Sequence, residues 1–186
     1  VANFNDDANG IVTKKVINAF DRFRDVHARP LGRALEINVN EDLTTELSRA
    51  AKLARHWLAE RQADILIWGH VPPAGSPVHI HFISLATWDE WIPGGFDLTT
   101  DLPLPAHLSG PYADFLHAAT LSATVPASRD KAKMRLAALP DAAAMAGIAM
   151  DDVPPDMTSR ERAALYLCYG NILSSAWSAK RAPEYM

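Results

Sequence analysis

Ala63-Asp64-Ile65-Leu66-Ile67-Trp68-Gly69-His70-Val71 is the stretch whose reading decides the fold. Ile65 to Trp68 and Val71 form an apolar run of strand length, bounded by polar residues. Alternate strand residues point to opposite faces, so Ile65, Ile67 and Val71 share one side and Leu66, Trp68 and His70 the other. Both sides are largely apolar, which predicts a central strand covered on both faces. Pro72-Pro73-Ala74-Gly75-Ser76-Pro77 breaks the run, and Val78–Leu85 returns as a second apolar stretch, giving a hairpin with a loop longer than the minimum. If Val71 meets Val78, His70 faces His79 and Trp68 faces His81.

Working towards the amino terminus, Asp42–Gln62 reads as the strongest helix, with Leu43, Leu47, Ala50, Ala51, Ala54, Trp57 and Leu58 on one stripe. Asn40 or Asp42 can cap it, with Glu41 and Glu46 near its positive end. Leu35, Ile37 and Val39 alternate, so a short strand is expected before it, and another near Val26. A strand, this helix and then Ile65–Val71 suggest a right-handed crossover with parallel pairing. Val1–Phe4 is a candidate strand end, Asn5–Gly10 a turn, and Ile11–Arg24 a helix with Val12, Val16, Ile17, Phe20 and Phe23 inward.

Towards the carboxyl terminus, Thr87–Leu98 reads as a bent strand or a structured loop, and Thr99–Pro105 as a polar, proline-bearing passage. Leu108–Val125 predicts a helix. Ser128–Leu139 and Asp141–Met150 predict two more, divided by Pro140. Thr158, with Glu161 three residues on, reads as a capping box opening a last helix to about Lys180. The expected class is therefore α/β (α+β): a small mixed sheet with a central hairpin and flanking helices over residues 1–100, followed by a helical extension over 101–186 packed on it.

The net charge of −4 over 186 residues, with no basic cluster, argues against a nucleic-acid surface. One cysteine, Cys168, excludes an internal disulfide and fits a reducing compartment. No apolar run reaches the length of a membrane span and no signal peptide is visible. A cytoplasmic setting without a membrane span is the expectation.

Ala63–Leu85 carries a resemblance. A helix rich in Ala, Arg and Trp (Ala50–Leu58), then Ala-Asp-Ile-Leu-Ile-Trp-Gly-x-Val (Ala63–Val71), then a polar turn and a return strand (Val78–Leu85) resemble the TolB amino-terminal domain and related bacterial modules that precede tetratricopeptide repeats. Phe4, Asp6-Asp7-x-Asn9-Gly10 and the helix after them fit the same layout, which covers about the first half of the chain. The pattern departs at His70, where an acidic residue is more usual. Arg162–Trp177, with Ala163, Ala164, Leu167, Tyr169, Gly170, Leu173 and Ala176, is similar to the first helix of a tetratricopeptide repeat. The resemblance implies a non-enzymatic adaptor or signal-input module, with a protein partner or self-association, and no reaction.

The residues themselves offer few chemical sites. His70, His79 and His81 share one face of the hairpin, and three imidazoles plus a water can hold zinc. No carboxylate lies near them in sequence to support such a site. That gives the alternative function, a metal- or small-ligand-binding module with hydrolase chemistry; otherwise no cofactor is expected. Trp88, Trp91 and Phe96, around Pro93-Gly94-Gly95, are either a binding surface or a lid over the core. The Met-bearing segment Met134–Met150 is a candidate partner surface. The Asn5–Gly10 loop lacks a phosphate-binding glycine pattern and, with Asp6, Asp7 and Asn9, lacks the spacing of a calcium loop. Cys168 has no neighbouring histidine and reads as a buried apolar residue.

Overall fold

The computed structural model describes residues 1–37, 42–73, 76–86, 96, 98–126, 128–151 and 153–181. The decisive stretch forms β1 (Ile65–His70), antiparallel to β2 (Val78–Ser84). The register is the one anticipated, with Trp68 opposite His81 and His70 opposite His79. A third strand, β3 (Leu102–Leu104), lies on the far side of β2, with Val78 opposite Leu104 and His79 opposite Pro103. The sheet thus continues past residue 100, and the polar, proline-bearing passage expected there is part of it.

The first residues of the chain complete the sheet on the other side. Ala2 N–H donates to Ile67 O, Asn5 N–H to Gly69 O and Val71 N–H to Asn5 O, each at 2.9 Å, so residues 1–5 run parallel to β1. Leu31 and Asn3 continue outwards, through bonds from Leu31 N–H to Val1 O and from Asn3 N–H to Arg33 O, both 2.8 Å. The segment before the long helix is therefore parallel to β1 but one strand removed from it, because residues 1–5 lie between. No regular element forms near Val26, and Val39 lies outside the described residues.

Five α-helices surround this sheet among the described residues. α1 (Ile11–Asn18) stops short of the expected Arg24; Phe20 and Phe23 follow it in turns. Its start is held by Asp7, whose carboxylate accepts from Val12 N (3.0 Å) and from Thr13 N and Oγ1 (both 2.7 Å). This satisfies donors that the first helical turn leaves free. Partial burial opposes ionisation of Asp7, but these bonds hold its carboxyl below the usual range. α2 (Leu43–Arg61) is capped by Asp42, which accepts from Thr45 N at 2.9 Å. Leu43, expected on its inward stripe, is exposed, whereas Ala50, Ala54, Trp57 and Leu58 are buried.

α2 covers one face of the sheet, packing those residues on Leu66, Trp68 and Ile83. The other face (Ile67, Val78, Ile80, Phe82, Leu102, Leu104) receives α1 and the carboxyl-terminal helices α3 (Pro111–Ala123), α4 (Arg129–Asp151) and α5 (Ser159–Arg181). One apolar cluster thereby joins the sheet to the helical part. Fully buried side chains in it, such as Ile80, Phe115, Leu116 and Ile172, contribute about 1.5–3 kcal/mol each.

α4 runs through Pro140 instead of dividing there. The ring removes one helical hydrogen bond, yet Leu139, Ala142, Ala143 and Ala146 on either side are buried in the common core. α5 opens as expected: Glu161 accepts from Thr158 N and Oγ1 (both 2.7 Å), and Glu161 N donates to Thr158 Oγ1 at 3.2 Å. No helix among the described residues is long and apolar enough to cross a membrane.

Candidate functional site

The hairpin register lines up Trp68, His70, His79 and His81 on one face, at the end of the sheet next to the β1–β2 turn. Their rings stack in two pairs: His70 on His79 at 4.7 Å and 4°, and Trp68 on His81 at 4.7 Å and 27°. His70 is exposed; His79 and His81 are half-buried.

The residue that sequence reasoning missed is Asp101. β3 begins one residue after it and pairs with β2, which carries its carboxylate to the histidine face. Asp101 Oδ2 lies 2.7 Å from His79 Nδ1, and Asp101 Oδ1 lies 3.8 Å from His81 Nε2. His81 Nδ1 is 3.0 Å from Thr100 O. A carbonyl only accepts, so the His81 proton belongs on Nδ1 and Nε2 presents a lone pair to the carboxylate. Asp101 Oδ1 accordingly has no hydrogen-bond partner although it is buried.

The charges follow from these contacts. The bond to Asp101 raises His79 above the ordinary imidazole value, against the smaller opposing effect of burial. Burial favours the neutral acid at Asp101, yet the bond from His79 leaves its carboxyl below the usual range. Burial lowers His81 despite the nearby Asp101. Burial, and then the charge on His79, lower His70. The site is therefore a His79–Asp101 pair in which each partner favours the charged form of the other, flanked by two histidines biased towards neutrality. A carboxylate that fixes Nδ1 and leaves Nε2 open orients an imidazole for proton transfer.

The three histidines are thus on one face, two of them stacked ring on ring, and the carboxylate absent from their sequence neighbourhood is supplied by Asp101. Among the described residues no group of three or more His, Cys, Asp or Glu side chains is placed to hold a metal ion. Cys168 is buried in α5; its thiol donates to Asp101 O at 3.4 Å, and burial pushes it up to about 12. Trp88 and Trp91 lie outside the described residues, and Phe96 is half-buried, edge-on to Phe82 at 5.4 Å.

A second feature lies on the helices. α5 buries Leu165, Cys168, Ile172, Ala176 and Ala179, but leaves Tyr166 (55% exposed), Leu167 (62%), Leu173 (45%) and Trp177 (56%) in solvent. Tyr166, Gly170, Leu173 and Trp177 recur at four, three and four residues, one face of a helix about 16 Å long. Arg181 covers the Trp177 ring at 3.7 Å. On α4, Met134, Met145 and Ile148 are also exposed.

No known protein family, no curated protein and no solved structure matches the chain.

Proposed function

We propose that this chain is a non-enzymatic protein-interaction module that docks a helix of a partner protein on the exposed face of α5. The observation that carries the reading is the stripe Tyr166, Gly170, Leu173 and Trp177. Large apolar residues gathered on one exposed helix face mark contact surfaces. Gly170 sits in the middle of it, where a glycine costs about 1 kcal/mol relative to alanine. A Cβ there would meet nothing within 4 Å. Nothing among the described residues fills the notch, and it lets a second helix approach closely. The resemblance of Ala63–Leu85 to TolB-amino-terminal modules and of Arg162–Trp177 to a tetratricopeptide helix supports the same role: signal input in a bacterial, cytoplasmic repeat-containing protein.

A photo-crosslinking benzophenone amino acid at position 173 tests it, with the exposed Lys14 position as control. One discrete adduct from 173, none from 14, and loss of the adduct in Gly170→Leu are expected. An adduct of twice the protomer mass names a second copy as the occupant. No adduct at 173, or equal labelling from 14, refutes the reading.

The His79–Asp101 bond at 2.7 Å favours a second reading, a small-ligand site with proton-transfer chemistry on the histidine face, with zinc the alternative occupant to be tested. Elemental analysis and a zinc titration followed through the histidine ring resonances test it; no metal and no shift of the His70, His79 or His81 signals remove zinc from it.

A further inference from the structure

We propose that the end of the sheet opposite the histidines is a binding site for a small organic anion with an apolar body, an aryl or alkyl carboxylic acid, received by Arg135. A cavity of about 570 Å³ opens there, between the end of α2, residues 25–31, the end of α3 and the start of α4. Its size is that of ordinary small-molecule sites. Phe20, Trp57, Leu58 and Leu121 supply apolar wall.

The charge at this wall is fixed and unmatched. Arg135 donates through Nε to Leu121 O and through Nη2 to Ser122 O at 3.0 Å. These are carbonyls of the last turn of α3, which has no helical partner for them. The contacts hold the guanidinium plane in place, and Nη1 has no hydrogen-bond partner among the described residues, so it can receive a ligand. Burial lowers the guanidinium to about 10, the mark of a cation already stripped of much of its water. No carboxylate among the described residues pairs with Arg135.

Both acidic side chains of the cavity are already engaged. Asp25 accepts from His117 Nε2 with both oxygens at 3.0 Å, and Asp64 holds Lys131 Nζ at 2.6 and 2.8 Å. Arg61 also lines the cavity and forms no ion pair among the described residues. A cationic pocket on a chain of net charge −4 is a local arrangement, opposite in sign to the whole. The carboxylate supplies the missing counter-charge, and the aryl or alkyl body displaces water from Phe20, Trp57 and Leu58. An inorganic anion does only the first.

The test uses 2-naphthoate and its uncharged counterpart 2-naphthylmethanol, titrated by calorimetry and by amide NMR. The carboxylate is expected to bind at least about tenfold more tightly, the scale of one charge-assisted hydrogen bond. Shifts should centre on Trp57, Arg61, Leu121 and Arg135. Arg135→Gln should abolish that preference. Because Arg135→Gln also uncaps α3, Met134→Glu gives an independent check: Met134 lines the cavity but is 66% exposed, so the fold should tolerate it, while the added anion weakens naphthoate and spares the alcohol. Equal affinities for the two ligands, no binding of naphthoate at millimolar concentration, shifts mapping elsewhere, or full competition by equimolar inorganic phosphate would each overturn the proposal.

Discussion

Replacing Gly69 by alanine should damage this protein far more than a single methyl group implies. Gly69 is the next-to-last residue of β1, opposite Ile80. A Cβ built on it falls inside the contact radius of the His79 carbonyl oxygen, 3.1 Å from His79 C and 2.8 Å from the Phe4 ring. The obstacle on one side is backbone and cannot rotate away. On the other it is Phe4, whose neighbour Asn5 donates to Gly69 O at 2.9 Å. Relief therefore requires β2 or residues 1–5 to shift. Overpacking costs about 1–3 kcal/mol, and one or two weakened ladder bonds add about 1 kcal/mol each. The sum, about 2–5 kcal/mol, corresponds to a fall of roughly 4–20 °C in Tm at this chain length. Gly170→Ala supplies the contrast, since it meets open space in a helix and should stabilise by about 1 kcal/mol. Gly147→Ala falls between: its Cβ would meet the end of the Tyr169 side chain, its hydroxyl at 2.8 Å and the ring carbon bearing it at 3.7 Å. Urea and thermal melts of the three variants check the order. If Gly69→Ala lies within 1 kcal/mol of the wild type, the close approach of β2 to Gly69 is wrong.

In an NMR titration His79 should titrate above the ordinary histidine value and His70 and His81 below it, and Asp101→Asn should bring His79 down. A raised folded-state value means that the His79–Asp101 pair adds stability below the unfolded value near 6.5, which is lost as pH rises through the folded value. Asp101→Asn should therefore destabilise more at pH 6 than at pH 9 in paired urea melts. Asp7→Ala leaves the Val12 and Thr13 amides unpaired and should cost about 1–2 kcal/mol by the same assay, with Asp7→Asn milder. Cys168 should resist a thiol reagent in the native state at pH 8 and react at once in denaturant; native labelling at the rate of a free thiol would contradict its burial.

The legible parts of the fold were those where a pattern repeats. Ile65–Val71 and Val78–Leu85 are long enough to show their period, and two strands joined by one loop leave few registers, so His70 opposite His79 followed from Val71 meeting Val78. Thr158 and Glu161 sit close in sequence and act on each other, so their capping box was readable too. β3 was not: Leu102-Pro103-Leu104 is too short for a period, and proline read as a breaker, although Leu102 and Leu104 are both fully buried. Asp101 was lost with it, since nothing local ties that residue to a histidine 22 positions earlier. Pro140 misled in the opposite direction, because the packing of Leu139 and Ala143 that holds α4 together is contributed by other helices. The cavity at Arg135 gathers residues from five separate segments and has no sequence signature at all.

Pro103 also has a consequence for how molecules of this protein meet. β3 has no further strand beside it among the described residues, and an unpaired strand edge is a template for joining another chain. Here that edge is three residues long and its central residue has no N–H to donate. Sheet-to-sheet growth is thus blocked from this side, and stacking into fibrils through β3 is disfavoured. At its β3 side the protein thus keeps an apolar face open on α5 without also offering there the backbone ladder on which aggregates propagate.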